Sequence, residues 1–150
     1  MRNILLIISL IITSNLVVAN PHRQKADPFA DVPQSQRERL KSCLNEFIEY
    51  HRTKQWDKVY ELLGEQYKSA IEGGLPRDLF LKKKLYIRLR KFTPRYAQKA
   101  GNGWWMISGC GVYDRGRGVD SLVEAYLQDG EWYFSEISSI GIDSTISCEH

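Results

Sequence analysis

The sequence has few of the residues from which metal sites and nucleophilic sites are built. It holds three histidines and three cysteines in 150 residues, and no histidine has a second one at zinc-ligand spacing. The patterns G-x-S-x-G and H-E-x-x-H do not occur, and neither does an N-x-S/T sequon. Base-stacking motifs are missing, and a formal net charge of +3 is too small to indicate a polyanion partner. The sequence therefore predicts no metal, no cofactor and no nucleic-acid partner.

Long apolar runs are confined to the N-terminus. Arg2 precedes an apolar stretch over residues 4–12, and small residues end at Ala19, which is the order of a secretory signal peptide. The stretch is broken at residues 13–15 and is shorter than the ~20 residues of a membrane span. We expect residues 1–19 to be a cleaved signal peptide, a secreted or periplasmic protein, and no stable membrane span after cleavage. A retained anchor is the alternative.

The rest of the chain has the length of one domain. Residues 20–34 are polar, carry three prolines and show no periodicity, which predicts a flexible lead-in outside the core. Residues 35–150 then form a single domain, and a second domain would not fit.

If the predicted signal peptide directs export, the three cysteines enter an oxidising compartment. Cys110 lies between Gly109 and Gly111, where another backbone can approach closely. Cys148 is in the C-terminal tail, and Cys43 falls on the apolar side of a predicted helix. We favour a disulfide between Cys110 and Cys148 with Cys43 buried, although the sequence leaves the connectivity open.

Helical patterns fill the first half of the domain. Ser35 and Glu38 have the spacing of a capping box before an apolar stripe that recurs at three and four residues. Thr53 is placed to cap a second helix, residues 65–71 predict a short third, and Pro76 suits the first turn of a fourth.

Strand patterns follow. Residues 90–98 predict an edge strand that tolerates Pro94, and three further strands are predicted over residues 104–113, 119–128 and 131–138. Asp129 and Gly130 predict a two-residue type I′ turn between the last two, because both residues accept positive φ. The predicted fold class is α+β, with N-terminal helices packed on a bent antiparallel sheet of about four strands.

The turn sets the pairing of the last strands. It places Leu127 opposite Trp132, Ala125 opposite Phe134 and Val123 opposite Glu136, on one side of the sheet. Trp105, Ile107 and Gly109 would share that mostly apolar side, which should meet the helices. The opposite side would carry Trp104, Met106, Ser108, Cys110, Leu122, Glu124, Tyr126 and Tyr133.

A set of local motifs resembles one family. These are Trp56, Val59 and Tyr60 in the second helix, Pro76 and Phe80 at the start of the fourth, Asn102-Gly103-Trp104 before a long strand, and the segment Asp129-Gly130-Glu131-Trp132-Tyr133-Phe134. Over roughly residues 37–137 the chain resembles the nuclear-transport-factor-2-like superfamily, also called SnoaL-like or cystatin-like α+β. The resemblance implies a cone formed by sheet and helices, whose mouth often holds a small apolar ligand. Members range from isomerases and dehydratases to accessory domains, so the fold does not decide the function.

Candidate site residues follow from that cone. Enzymes of the superfamily place an acid or a histidine on the pocket side, which makes Glu136 the candidate general base, with Tyr60, Tyr67 or Tyr86 as donor. Tyr60, Trp105, Trp132 and Phe134 are the candidate ligand-binding residues. The alternatives are that Glu136 pairs with a base or reaches solvent, and that the aromatic residues form core.

The favoured function is an exported, non-catalytic binding or accessory module that uses the cone pocket or the sheet face for a small apolar ligand or a protein partner. A small-molecule lyase or isomerase with Glu136 as base is one alternative. Docking of the basic segment, residues 77–99, to an anionic surface is another. The aromatic residues of the opposite sheet side also suggest a homodimer through the sheet.

Overall fold

Helices precede an open antiparallel sheet in a computed structural model that describes residues 26–83, 89–114 and 118–140. The helices are α1 (Gln34–Arg52), α2 (Trp56–Glu61), α3 (Glu65–Ala70) and α4 (Arg77–Lys83). The strands are β1 (Leu89–Lys99), β2 (Trp105–Tyr113), β3 (Gly118–Gln128), β4 (Glu131–Phe134) and β5 (Ser138–Ser139), with a 3-10 turn at Gly101–Gly103. The predicted α+β class is confirmed.

The helix ends differ from their sequence signals. α1 begins after Pro33 without a side-chain cap, so the prediction of a capping box formed by Ser35 and Glu38 is wrong. The Glu38 carboxylate instead lies 3.2 Å from Lys41 Nζ. Thr53 does not cap α2, because its Oγ1 donates to the Glu49 carbonyl at 2.7 Å and so closes the end of α1. Local polar groups have more than one possible partner, and here the tertiary path selects between them.

The lead-in contributes to the core, which corrects its assignment as wholly flexible. Phe29 and Val32 are buried in the main hydrophobic cluster. The Pro28 carbonyl accepts a hydrogen bond from the Ala97 amide of β1 at 2.7 Å. Residues 26–34 therefore belong to the folded domain; residues 20–25 lie outside the described residues.

The sheet has the order β1-β2-β3-β4, with β5 also beside β3. Asp129 and Gly130 have φ values of 51° and 83°, as the predicted turn requires. Leu127 pairs with Trp132 and Ala125 with Phe134, so the predicted register is confirmed there.

One side of the sheet, the inner face, packs on the helices. Trp105, Ile107, Val123, Ala125, Trp132 and Phe134 are buried there with residues of α1, α2 and α4. A Cβ on Gly109 would clash with the Thr93 carbonyl oxygen of β1, so this glycine permits the close approach of β1 at its irregularity between Pro94 and Tyr96. The opposite side is called the outer face below.

A β-bulge separates β4 from β5 and overturns one predicted pair. Ala125 pairs with Phe134, whereas Leu122 pairs with Ser138, so three residues oppose two on β3. Ser135 Oγ lies in the bulge, where it accepts a hydrogen bond from the Glu124 amide at 2.9 Å and donates one to the Glu136 carbonyl at 3.1 Å. The expected pairing of Val123 with Glu136 is therefore wrong. Ile137 packs against the core, because the extra residue reverses the facing of the side chains after it.

Candidate functional site

The aromatic residues predicted to line a cone pocket are packed in the core. Trp105, Trp132 and Phe134 are buried, and the Phe134 ring stacks on Phe47 with centroids 4.9 Å apart. These contacts are those of a close-packed interior.

Tyr60 also makes contacts within the chain. Its hydroxyl donates to the Leu75 carbonyl at 2.8 Å, and its ring lies 5.4 Å from that of Phe80. Lys68 Nζ lies 4.6 Å from the ring centroid. The hydrogen bond from Tyr60 to Leu75 thus holds the segment before α4 in place. Tyr86, another candidate donor, lies outside the described residues.

The structure brings Glu136 to Tyr67, one of its three predicted donors. Burial raises the pKa of Tyr67 to about 12, and the negative charge of Glu136 adds to the rise, while a hydrogen bond from the Glu136 backbone opposes it. Tyr67 therefore stays protonated at neutral pH and can donate a hydrogen bond. Both residues are half-buried.

A second acid and phenol lie beside this pair on the outer face. Tyr126 OH donates to Glu124 Oε2 at 2.7 Å, and burial followed by that hydrogen bond raises the pKa of Tyr126 above its ordinary value. The charge of Glu124 also raises the pKa of Tyr67. The phenols of Tyr67 and Tyr126 and the carboxylates of Glu124 and Glu136 form what we call the Tyr-Glu cluster.

The parallel bridge between Leu63 and Phe134 positions α3 over this cluster. The Phe134 amide donates to the Leu62 carbonyl at 2.9 Å, and the Gly64 amide donates to the Phe134 carbonyl at 3.0 Å. Sequence reasoning named the four cluster residues but missed their assembly, because a single long-range bridge leaves no periodic signal in the chain.

A groove lies elsewhere on the outer face. It has a volume of about 250 Å³ and is lined by Arg95, Tyr96, Ser108, Gly109, Asp120, Ser121 and Ile140; we call it the outer-face groove. Tyr96 is 54% exposed and Ile140 51%. Arg95 Nη1 lies 2.9 Å from Asp120 Oδ1. Exposed apolar surface beside a charged pair suits contact with another molecule.

The residues that suggested a homodimer are less available than the sequence indicates. Tyr126 is only 5% exposed, because Gly64 and the Trp104 ring pack on it. Trp104, Met106 and Tyr133 are half-buried. Dimerisation through the sheet stays a prediction.

The cysteines lie on two different elements. Cys43 of α1 is buried and free, as the helical stripe predicts, and burial raises the pKa of its thiol. Cys110 lies in β2 opposite Asp120. Cys148 is outside the described residues, so the Cys110–Cys148 disulfide stays a prediction.

Ion pairs occupy much of the basic segment. Arg77 pairs with Asp57, Lys82 with Asp78, Arg90 with Asp114 and Arg95 with Asp120, over 2.7–3.9 Å. Such pairs reduce the positive potential that an anionic surface would meet. Lys84 and Arg88 of this segment lie outside the described residues.

Comparison with known proteins gives no relative: no family model, curated protein or solved structure matches this chain significantly. The likeness to the nuclear-transport-factor-2-like superfamily stays a prediction. Within the described ranges, no helix combines the length and the apolar run that a membrane crossing needs. In the same ranges, no three His, Cys, Asp or Glu residues converge as metal ligands.

Proposed function

We propose that this chain is an exported, non-catalytic binding module that contacts a protein partner through the outer face of its sheet. The observation that carries the proposal is the joint exposure of Tyr96 and Ile140 on one groove. The predicted pocket aromatics contact other core side chains, which favours the sheet face over the cone pocket as the binding surface. Export rests on the predicted signal peptide.

The chemistry of the outer-face groove favours a protein over a small ligand. Pockets for small molecules usually enclose ~300–1,000 Å³, and the groove is smaller than this range at about 250 Å³. A tyrosine, an isoleucine, two serines and an Arg–Asp pair together resemble the mixed surface of a transient protein interface.

A photo-crosslinking experiment tests the proposal. Benzoylphenylalanine replaces Tyr96 in the exported protein, and the control replaces Leu127, which is 41% exposed at the far end of β3. We expect a crosslinked protein adduct from position 96 and much less from position 127. An adduct of twice the chain mass identifies a second copy as the partner. Equal yields at both positions, or none, would overturn the proposal.

The lyase or isomerase alternative rests on a different observation, the contact between Glu136 and protonated Tyr67. A carboxylate beside a phenol could remove one proton and supply another. Under the binding-module proposal, Glu136→Gln leaves thermal stability and crosslinking at position 96 almost unchanged. Loss of a measurable reaction in that variant, with the fold intact, would favour the enzyme instead.

A further inference from the structure

A second pocket lies at the end of the sheet where the start of α3 packs on Tyr126. It has a volume of about 200 Å³, and we call it the Trp104 pocket. Its lining comes from α3, from the turn before β2 and from the end of β3: Gln66, Gly103, Trp104, Tyr126, Leu127 and Gln128. The outer-face groove is lined by a different set of residues. The two sites are therefore separate.

The lining combines neutral polar groups with apolar surface. Gln66 and Gln128 are both exposed, and each carboxamide has two N–H donors and one carbonyl acceptor. The partly exposed Trp104 ring and the Leu127 side chain, which is 41% exposed, supply the apolar part. An aromatic ring beside a few polar groups is the usual composition of a site for a small molecule.

The charges around the pocket disfavour an ionised ligand. The described residues that line it are all uncharged. Glu65 and Asp129 are chain neighbours of the two glutamines, and the Glu124 carboxylate accepts the hydrogen bond of Tyr126, so an anion would meet a negative potential. A cation would lose its water without a carboxylate in the lining to pair with it. The pocket therefore suits a neutral ligand.

The indole of Trp104 carries a donor that the fold leaves unused. Nε1 is buried and has no hydrogen-bond partner in the part of the chain that the structure describes. A buried donor without a partner destabilises the arrangement that contains it. Because Nε1 is out of contact with water, a ligand that reaches it must first displace the ring, and the new hydrogen bond offsets that displacement. The pocket thus favours a ligand that brings an acceptor.

We propose that the Trp104 pocket binds one ring of a neutral carbohydrate. A pyranose has a face of C–H groups, which packs on an aromatic ring, and a rim of hydroxyls, which pair with carboxamides. The volume of about 200 Å³ is below the ~300–1,000 Å³ of a pocket for a drug-sized molecule, so one sugar ring enters and the rest of a longer glycan stays in solvent. This site goes beyond the protein partner of the outer-face groove and does not depend on it.

An NMR titration with free sugars tests the site. The probes are the methyl glycosides of glucose, galactose, mannose and N-acetylglucosamine, and the readout is the indole N–H signals, with Trp104→Phe to assign the Trp104 signal. We expect at least one glycoside to shift that signal saturably. The signal of Trp132, which is 2% exposed, should stay in place as an internal control. The uronic acid of the best sugar should bind at least about tenfold more weakly, because of the negative potential.

Glutamine variants show whether the sugar occupies this pocket. Gln66→Ala and Gln128→Ala should each weaken binding about fivefold, the effect of one lost neutral hydrogen bond. Their unfolding midpoints should stay unchanged, because both side chains are exposed. The matched control is Gln98→Ala, an exposed glutamine of β1 outside the pocket, which should bind as tightly as the wild type.

Three results would overturn the sugar site. They are a Trp104 signal that no glycoside shifts, tighter binding of the uronic acid than of the neutral sugar, and glutamine variants of the pocket that bind no more weakly than Gln98→Ala. The crosslink at position 96 reports on other residues. A failed crosslink with sugar binding intact would therefore contradict the protein partner alone, and the reverse result would contradict the sugar site alone.

Discussion

Gly64 lies so close to Tyr126 that a Cβ at Gly64 would be 2.9 Å from Cδ2 of the ring. The ring has little freedom to move away, because its hydroxyl donates a hydrogen bond to Glu124 and the Trp104 ring packs perpendicular to it with centroids 4.7 Å apart. This approach lets α3 close over the outer face and bring Tyr67 to Glu136.

Gly64→Ala should therefore destabilise the fold by about 1–3 kcal/mol, the usual cost of overpacking. The backbone at Gly64 has φ −65° and ψ 143°, which alanine adopts freely, so steric conflict is the only expected cause. The matched control is Gly101→Ala, where a Cβ would meet nothing within 4 Å. Urea unfolding of both variants checks this, and equal stabilities would show that Tyr126 moves aside at little cost.

Alkaline pH should weaken the fold through Tyr67. Its pKa is about 12 in the folded chain against 10.0 for an ordinary tyrosine. Below pH 10 both states keep the proton; from pH 10 to 12 the unfolded state releases it first, so stability falls as pH rises. Tyr67→Phe should reduce the steepness of this fall. If wild type and variant lose stability in parallel, the raised pKa of Tyr67 is wrong.

Glu136→Gln gives an independent check on the same contact. Removal of the Glu136 charge should shift the near-ultraviolet phenolate titration of Tyr67 to lower pH. The shift should be partial, because burial is the larger cause of the raised pKa. Glu61→Gln, at an exposed position of α2, is the control. An unshifted titration in the Glu136 variant would place its carboxylate away from Tyr67 in solution.

Phe134 should prove to be a core residue rather than a ligand contact. Phe134→Ala should cost about 3–5 kcal/mol, because the ring is fully buried and stacked on Phe47. Leu127→Ala, in the paired strand but 41% exposed, should cost about 1 kcal/mol or less. Denaturant midpoints measure both. A small loss of stability for Phe134→Ala would favour the interpretation that Phe134 lines a ligand pocket.

The N-terminus of the exported protein tests the leader. Intact mass spectrometry should find Asn20 as the first residue, because small residues at 17 and 19 precede a signal-peptidase cut. An unprocessed Met1 in the membrane fraction would contradict export. It would also remove the reason to expect a disulfide between Cys110 and Cys148.

Local pattern was sufficient for the sheet up to Phe134. Asp129 and Gly130 determine a turn because of their tolerance for positive φ, and the turn fixes the pairing of Ala125 with Phe134 and the inward face. The sequence of β2 likewise shows the alternation of period two that buries Trp105 and Ile107. Every such inference depends on residues that are close in sequence.

Tertiary structure decided the rest. The alternation could not show that Ser135 would fill a bulge with its own hydroxyl, and that one extra residue puts Ile137 rather than Glu136 against the core. Neither could it show that Leu63 bridges to Phe134, which brings Tyr67 to Glu136. Bulges and long-range bridges are chosen by the packing energy of the whole chain, for which no local periodicity exists.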